Sequence, residues 1–284
     1  MRTYRAEVFT APLTHHGEGP MWTPSTGLLV LDMLAGDIVS VTEDGALDRR
    51  VHVDDVIAAI APRRDGGLVA GTERGWCLLD SELTIQGRVE VWTDPAIRMN
   101  DGACDPYGAF WCGSMAYDLH PGRGGLWRFA PDDLSCELVL KRIGCSNGLQ
   151  WTVDGDHAYY IDSLTGTVDR LRTTIDGHLM ERTEFADLHG LGFPDGLAVD
   201  TEGGVWVALF GASRLIHLTP TGEIDGEITL PVRQVTACAF GGPDWRRLHI
   251  TTSAHALEHP EPSAGAVYAL DIPIGGFTPH CFNG

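Results

Sequence analysis

The stretch CSNGLQWTVDGDHAYYIDS, residues 145–163, contains two short strand-like runs joined by a turn at Asp154-Gly155-Asp156. Apolar residues alternate in the first run, and the second run is rich in aromatic and branched residues. Two such runs on either side of a glycine-containing turn predict a β-hairpin. Asn147 lies directly before the first run and is followed by glycine, a dipeptide that is first of all a turn signal. Its meaning therefore depends on whether the pattern recurs.

The hairpin pattern recurs six times along the 284 residues. The aligned turn positions, which follow one another at intervals of about 40–50 residues, are Gly27, Gly67, Gly108, Gly155, Gly204 and Asp244. A repeat of this length that holds about four short strands is typical of one β-propeller blade. The sequence therefore predicts an all-β fold, a six-bladed β-propeller with four antiparallel strands per blade. A pair of packed sheets is the structural alternative, but it would not require a repeat.

We expect residues 1–284 to form a single propeller domain. A strand candidate at 4–9 precedes the first repeat, and we expect it to complete the last blade and close the ring. The third repeat is longer because of an insertion at 115–124, which we expect to form a loop near one mouth of the channel.

The composition limits the classes of partner. The net charge of −19 is spread along the chain, so neither nucleic acid nor an anionic membrane is an expected partner. The chain has no run of 18 apolar residues and no signal-peptide-like start, so we expect a cytoplasmic protein. Seven cysteines without a CxxC pair fit reduced, mostly buried thiols.

Four repeats carry an oxygen-bearing side chain directly before a glycine, at the same phase: Glu18, Asp101, Asn147 and Asp195. Side chains at one height on different blades converge on the propeller axis, whereas each Asx-Gly or Glu-Gly taken alone could merely shape a turn. Clustered carboxylates repel one another unless a cation neutralises them. Oxygen ligands without cysteine favour calcium, magnesium or manganese over a structural zinc. The second and sixth repeats have mainly apolar residues at this phase, so the ring has an apolar side.

Several segments together resemble the regucalcin/gluconolactonase family of six-bladed propeller sugar lactonases, also called the senescence-marker-protein family. The matching segments are GEGPMW (17–22), RMNDGACDPYGAFWCGSM (98–115), SNGLQWTVDGDHAYYIDS (146–163), FPDGLAVDTEGGVWVA (193–208) and TACAFGGPDWRRLHITTSA (236–254).

The resemblance implies one divalent metal ion, held by Glu18, Asn147 and Asp195. It also implies that Arg98 and Asn100 contact the oxygens of the sugar ring and that Asp195 is the general base. Calcium, zinc, manganese and iron remain open as the metal.

Two positions depart from the family pattern. Tyr117 stands where some relatives carry a glutamate that contacts substrate, and we expect it to line the substrate site. His16 stands where relatives often have an apolar residue. His15 and His16 could reach the channel, but we expect them to form a solvent-facing pair.

The expected function is metal-dependent hydrolysis of a sugar lactone to the aldonic acid. A lactone is an activated cyclic ester, so a metal that polarises the carbonyl and a carboxylate that activates water suffice. Two alternatives remain: a non-catalytic propeller that binds calcium or another ligand, and a hydrolase of other esters or organophosphates on the same metal. No G-x-S-x-G, P-loop or dinucleotide motif occurs. We expect a monomer or a weak homo-oligomer.

Overall fold

A computed structural model describes residues 1–174 and 177–284, and strands dominate it. The chain begins with β1 (Arg2–Arg5) and β2 (Glu7–Val8). Blade 1 then consists of β3 (Gly17–Thr23), β4 (Gly27–Asp32), β5 (Asp37–Val41) and β6 (Leu47–His52). Blade 2 consists of β7 (Ile57–Pro62), β8 (Leu68–Thr72), β9 (Gly75–Leu79) and β10 (Ile85–Glu90). Blade 3 consists of β11 (Ile97–Cys104), β12 (Phe110–Ala116), β13 (Gly124–Phe129) and β14 (Cys136–Ile143).

Blade 4 consists of β15 (Ser146–Trp151), β16 (His157–Asp162), β17 (Thr167–Thr173) and β18 (Leu179–Asp187). Blade 5 consists of β19 (Phe193–Val199), β20 (Val205–Phe210), β21 (Arg214–Leu218) and β22 (Ile224–Thr229). Blade 6 contains β23 (Val235–Gly241), β24 (Arg247–Thr252) and β25 (Tyr268–Asp271). Two short 3₁₀ turns, Met33–Ala35 and Ser163–Thr165, are the helical segments of the described residues, and neither is long enough to cross a membrane.

The predicted six-bladed propeller with four antiparallel strands per blade is confirmed. The hairpin at 145–163 is present as β15 and β16, which pair in antiparallel register across the predicted turn. The N-terminal segment is divided between two blades. Strand β2 pairs with β25 in blade 6, whereas β1 runs parallel to β22 and adds a fifth strand to blade 5.

The core lies between facing blades, because each short strand carries apolar residues on both faces of its sheet. Between blades 3 and 4, for example, Trp111 and Trp151 are fully buried, and their ring centroids lie 5.7 Å apart. The indole nitrogen of Trp111 donates to the buried carboxylate of Asp105 at 2.8 Å. Asp105 also accepts from two backbone N–H groups of the turn after β11, so it fixes the end of this inner strand. All seven cysteines are free thiols, and five of them are buried.

Each inner strand has an irregular register at the same level. The irregularities lie between Glu18/Met21, Ile57/Ala59, Met99/Gly102, Asn147/Leu149, Pro194/Leu197 and Val235/Cys238. A β-bulge leaves residues unpaired and re-aims their side chains, and bulges are common next to active sites. The four polar residues that share one phase in the sequence therefore stand at or within the bulges of blades 1, 3, 4 and 5.

The last residues, 272–284, form what we call the C-terminal strap. At one end Gly275 and Gly276 form backbone hydrogen bonds with blades 5 and 6. At the other end the N–H of Phe282 donates to Pro62 O at 2.8 Å, and that of Asn283 donates to Gly108 O at 3.0 Å. The strap thus crosses from blades 5 and 6 to blades 2 and 3.

The strap closes a chamber on the axis. The chamber has a volume of about 130 Å³, and it is lined by residues that follow the bulges in the inner strands and by Phe277, Pro279 and His280 of the strap. Asp101 faces this chamber, as do Gly19 and Gly196. The residues that precede the bulges lie toward the opposite mouth of the channel.

Replacing Phe282 with alanine is expected to lower the free energy of unfolding by about 3–5 kcal/mol, because a fully buried aromatic side chain leaves a cavity. Phe282 has no exposed surface, and its ring centroid lies 6.1 Å from that of Trp76. Urea denaturation measures the change. Phe193→Ala is the matched control, since Phe193 is 60% exposed and should change stability by no more than about 0.5 kcal/mol. Equal stability of the two variants would show that the strap is not docked.

Candidate active site

A chain of side-chain hydrogen bonds joins the inner strands of blades 3, 4 and 5. Nη1 of Arg98 donates to Oδ1 of Asn100 at 2.5 Å, and Nδ2 of Asn100 donates to Oδ1 of Asn147 at 2.7 Å. Nδ2 of Asn147 donates to Oγ of Ser163 at 2.8 Å, and that hydroxyl donates to the backbone oxygen of Pro194 at 2.6 Å. Because Pro194 immediately precedes Asp195, the network extends to the backbone of the third predicted ligand.

The two predicted carboxylate ligands are buried and close enough to influence each other. Glu18 and Asp195 are each 7% exposed. Burial, with the charge of Asp101 next in importance, raises the pKa of Glu18 to about 8, while the N–H of Gly19 and the charge of Arg98 oppose the shift. Burial also raises the pKa of Asp195 well above its ordinary value, with additional repulsion from Glu18 and Asp101. Asp101 itself has its pKa raised by burial to about 6.

These residues fit a divalent cation that prefers oxygen. Among the described residues no donor reaches the Asp195 carboxylate, and Glu18 accepts only from the N–H of its neighbour Gly19, at 3.3 Å. Their oxygens therefore have lone pairs free to bind a metal, and the amide oxygen of Asn147 adds a neutral ligand. The described residues contain no group of three His, Cys, Asp or Glu side chains suited to a metal. The predicted ligands Glu18, Asn147 and Asp195 do not form such a group, because Asn147 would bind the metal through an amide oxygen.

Arg98 and Tyr117 lie toward the open mouth. The guanidinium of Arg98 is buried, and burial lowers its pKa. It forms no ion pair with any carboxylate of the described residues, and its hydrogen bonds with them all use Nη1, so Nε and Nη2 have no partner among these residues. The ring of Tyr117, which is 44% exposed, lies 5.7 Å from the guanidinium carbon, and its hydroxyl donates to Glu73 at 2.8 Å.

Two carboxylates that the sequence analysis missed hold the strands that carry Glu18 and Asn147. Oδ1 of Asp32 accepts from the N–H groups of His15 and His16 at 3.0 and 3.1 Å. Asp162 accepts in the same way from Gly144 and Cys145, at 2.9 Å each. Each aspartate ends the second strand of its blade, in LLVLD (28–32) and AYYID (158–162). Because the two aspartates recur at the same position of two repeats, the sequence contained a signal by which they could have been identified.

The expectation that His15 and His16 form a solvent-facing pair is wrong for His16. His15 is exposed, but His16 is only 9% exposed, and its Nδ1 lies 2.8 Å from the hydroxyl of Ser253 in blade 6. Burial, with the charge of Arg98 next in importance, lowers the pKa of His16 to about 3. The two residues differ because the bridge from His16 to Ser253 covers its ring with the neighbouring blade.

Comparisons with known proteins agree with this architecture. The model of the SMP-30/Gluconolactonase/LRE-like region matches residues 16–254. The chain is 30% identical to regucalcin of Xenopus laevis over 301 residues, which covers 100% of both chains. It is also 30% identical over 280 residues to a Bacillus subtilis protein provisionally named as a sugar lactone lactonase, with 94% and 95% of the two chains covered.

Solved structures share the fold. A calcium-binding protein described as regucalcin from Agrobacterium tumefaciens has a TM-score of 0.92 at 23% identity, with 100% of each chain covered. A gluconolactonase from Xanthomonas campestris has a TM-score of 0.77 at 21% identity, with 94% of this chain and 90% of that chain covered.

Replacing Asp162 with alanine is expected to destabilise the protein by about 1–3 kcal/mol, because two buried N–H groups lose their acceptor. Both groups lie just before Asn147, a predicted metal ligand, so we also expect weaker binding of a divalent metal, with calcium as the probe. Urea denaturation and calcium titration by calorimetry measure the two effects. Asp132→Ala, at an exposed position, is the control, and calcium affinity equal in both variants would contradict a role for Asp162 in holding Asn147.

The raised pKa values predict that stability depends on pH in protein stripped of metal. A carboxylate whose pKa is higher in the folded state contributes stability below its unfolded pKa, and this is lost as pH rises through the folded value. For Glu18 that value is about 8, so the metal-free protein should lose stability between about pH 5 and pH 8.5.

Glu18→Gln isolates this contribution from that of other groups. The variant should lose less stability across the interval than the wild type, whereas Glu258→Gln, at an exposed position, should behave like the wild type. Denaturation midpoints at the two pH values provide the measurement. We expect saturating calcium to reduce the pH dependence of wild-type stability, because a divalent cation held at the predicted site would neutralise the carboxylates. Identical pH dependence in wild type and Glu18→Gln would contradict the raised pKa.

Proposed function

Because the chain belongs to the SMP-30/gluconolactonase/LRE-like family, we propose that it is a metal-dependent hydrolase of a sugar lactone, which it opens to the aldonic acid. The observation that carries the proposal is the convergence of Glu18, Asn147 and Asp195 beside Arg98 and Asn100. A layer of carboxylate and amide oxygens next to a buried guanidinium combines a cation site with donors for a polyhydroxylated ligand.

Glu18, Asn147 and Asp195 would hold the divalent ion, and the ion supplies polarisation of the lactone carbonyl when it is bound. Asp195 accepts the proton of the attacking water at a carboxylate oxygen, since no described donor occupies that group. Nε and Nη2 of Arg98 bind and orient the hydroxyl groups of the sugar. Asn100 holds Arg98 and Asn147 in register, because it accepts from one and donates to the other.

Tyr117 is proposed to contact the substrate at the rim. Its ring partly covers Arg98, and its hydroxyl is fixed by Glu73, so this pair can restrict how far a substituent extends from the channel. A rim of this kind affects which lactone binds more than how fast the ring opens.

A non-catalytic calcium-binding propeller is the second candidate, favoured by the similarity to proteins named regucalcin. The same three ligands would serve it. Binding of calcium alone does not require a buried guanidinium that lacks an ion-pair partner, however. The presence of Arg98 therefore favours the hydrolase. The charged layer also suits a polyol better than the less polar esters or organophosphates.

Asp195→Asn is expected to lower lactone hydrolysis by about 10²–10⁴-fold while the fold is retained, because the amide cannot accept the proton of water. Acid release from D-glucono-1,5-lactone and a panel of pentono- and hexonolactones measures turnover, corrected for spontaneous opening. The protein is first stripped with a chelator, and calcium, zinc, manganese or iron(II) is then added singly. Circular dichroism checks the fold, and Asp132→Asn is the control.

The outcomes separate the two candidates. Turnover by the wild type that depends on an added metal supports the hydrolase. Unchanged turnover of Asp195→Asn would exclude that residue as the base. Tight metal binding without turnover of any lactone would favour the calcium-binding propeller.

A further inference from the structure

His16 lies near Arg98, on the side of the predicted metal ligands that faces away from the chamber. His16 precedes the bulge in the inner strand of blade 1, as Arg98 precedes the bulge in that of blade 3. The two side chains are close enough for the charge of the Arg98 guanidinium to contribute to lowering the pKa of His16. Both residues therefore lie between the predicted metal ligands and the open mouth.

The imidazole of His16 is held from two blades. Its backbone N–H donates to Asp32 in blade 1 at 3.1 Å, and its backbone oxygen accepts from Met33 at 2.9 Å. Its Nδ1 lies 2.8 Å from Oγ of Ser253 in blade 6, and that hydroxyl accepts from the N–H of His255 at 3.0 Å. The side chain is therefore fixed in place before any ligand binds.

One ring nitrogen of His16 remains available. Among the described residues no group forms a hydrogen bond with Nε2, and this atom is not among the fully enclosed atoms without a partner. The ring centroids of His16 and His255 lie 5.3 Å apart, and His255 is an exposed residue. A fixed side chain with a free, accessible polar atom near Arg98 is suited to bind a ligand.

We propose that His16 is a substrate-binding residue that determines specificity: its Nε2 forms a hydrogen bond with a hydroxyl group of the lactone. The inference rests on the proposed hydrolase function and adds to it a second residue, besides Arg98, that selects for hydroxyl groups on the lactone. With Arg98 binding from blade 3 and His16 from blade 1, the site favours lactones that carry hydroxyl groups over unsubstituted lactones. A site that hydrogen-bonds a hydroxyl discriminates against analogues that lack it, because its polar group is then left unpaired.

The test compares D-glucono-1,5-lactone with δ-valerolactone, which has the same six-membered ring without hydroxyl groups. His16→Ala is expected to raise the KM for gluconolactone about tenfold, which is the loss of affinity expected when one hydrogen bond is removed. The value of kcat should change little. The inhibition constant of δ-valerolactone, measured by competition against gluconolactone, should stay within about twofold, since it offers no hydroxyl. His16→Gln should restore most of the affinity, because its amide can replace Nε2.

Two further variants provide controls. Ser253→Ala keeps the imidazole of His16 but removes the hydroxyl group that holds it in place. The KM for gluconolactone should therefore rise less than in His16→Ala. His15→Ala, at the exposed neighbouring position, should leave both constants unchanged. Calcium affinity should stay at the wild-type value in all four variants, which excludes an indirect effect through Glu18.

The failure of this inference differs from the failure of the proposed function. Absence of turnover by the wild type with every metal would overturn both. Active wild type with an unchanged KM in His16→Ala, or with equal weakening of gluconolactone and δ-valerolactone, would overturn only the role of His16. A loss of calcium affinity in His16→Ala that matches its loss of activity would also overturn the role of His16. If His16→Ala does not fold, the KM of Ser253→Ala for gluconolactone is the deciding measurement, and an unchanged KM would overturn the role.

Discussion

Three carboxylates kept out of bulk water around one axis are the constraint on which the rest of the site depends. Glu18, Asp101 and Asp195 come from different blades, and burial raises the pKa of each. Repulsion from neighbouring carboxylates adds to the shift for Glu18 and Asp195. Among the described residues none of them has an ion-pair partner within 4.0 Å. The nearby guanidinium of Arg98 opposes their repulsion only in part. A layer of this kind persists because the surrounding backbone is held by buried hydrogen bonds, notably those to Asp32 and Asp162.

The repeat made the fold predictable. Turns that recur at one spacing predict blades, and polar residues at one phase within the repeat predict a layer on the axis. The structure adds the reason that the phase is meaningful, since each inner strand has its irregular register at that level. A bulge depends on how two strands pair, and the sequence of one strand does not contain that information. The roles of Asp32 and Asp162 were accessible in principle, because they too recur at one phase.

Other features could not be predicted because they depend on contacts between distant parts of the chain. The sequence predicts an exposed pair of histidines, but the ring of His16 is covered by Ser253 of a blade more than two hundred residues away. The N-terminal segment divides between two blades because β1 finds a parallel partner in β22. Local pattern predicts strands and turns, whereas the neighbour that buries a given side chain is set by closure of the ring. In this protein closure determines which residues reach the mouth of the channel.

The C-terminal strap has a consequence for how the molecule is made. Nε of Arg63 in blade 2 donates to the backbone oxygen of Gly284, 221 positions later. Contacts of such separation carry a large loop-closure cost and slow folding. During synthesis five blades can form before residues 272–284 have been made, but the chamber on the axis stays open until the strap docks. A chain without the docked strap exposes apolar residues of the inner strands, and exposed apolar surface favours aggregation.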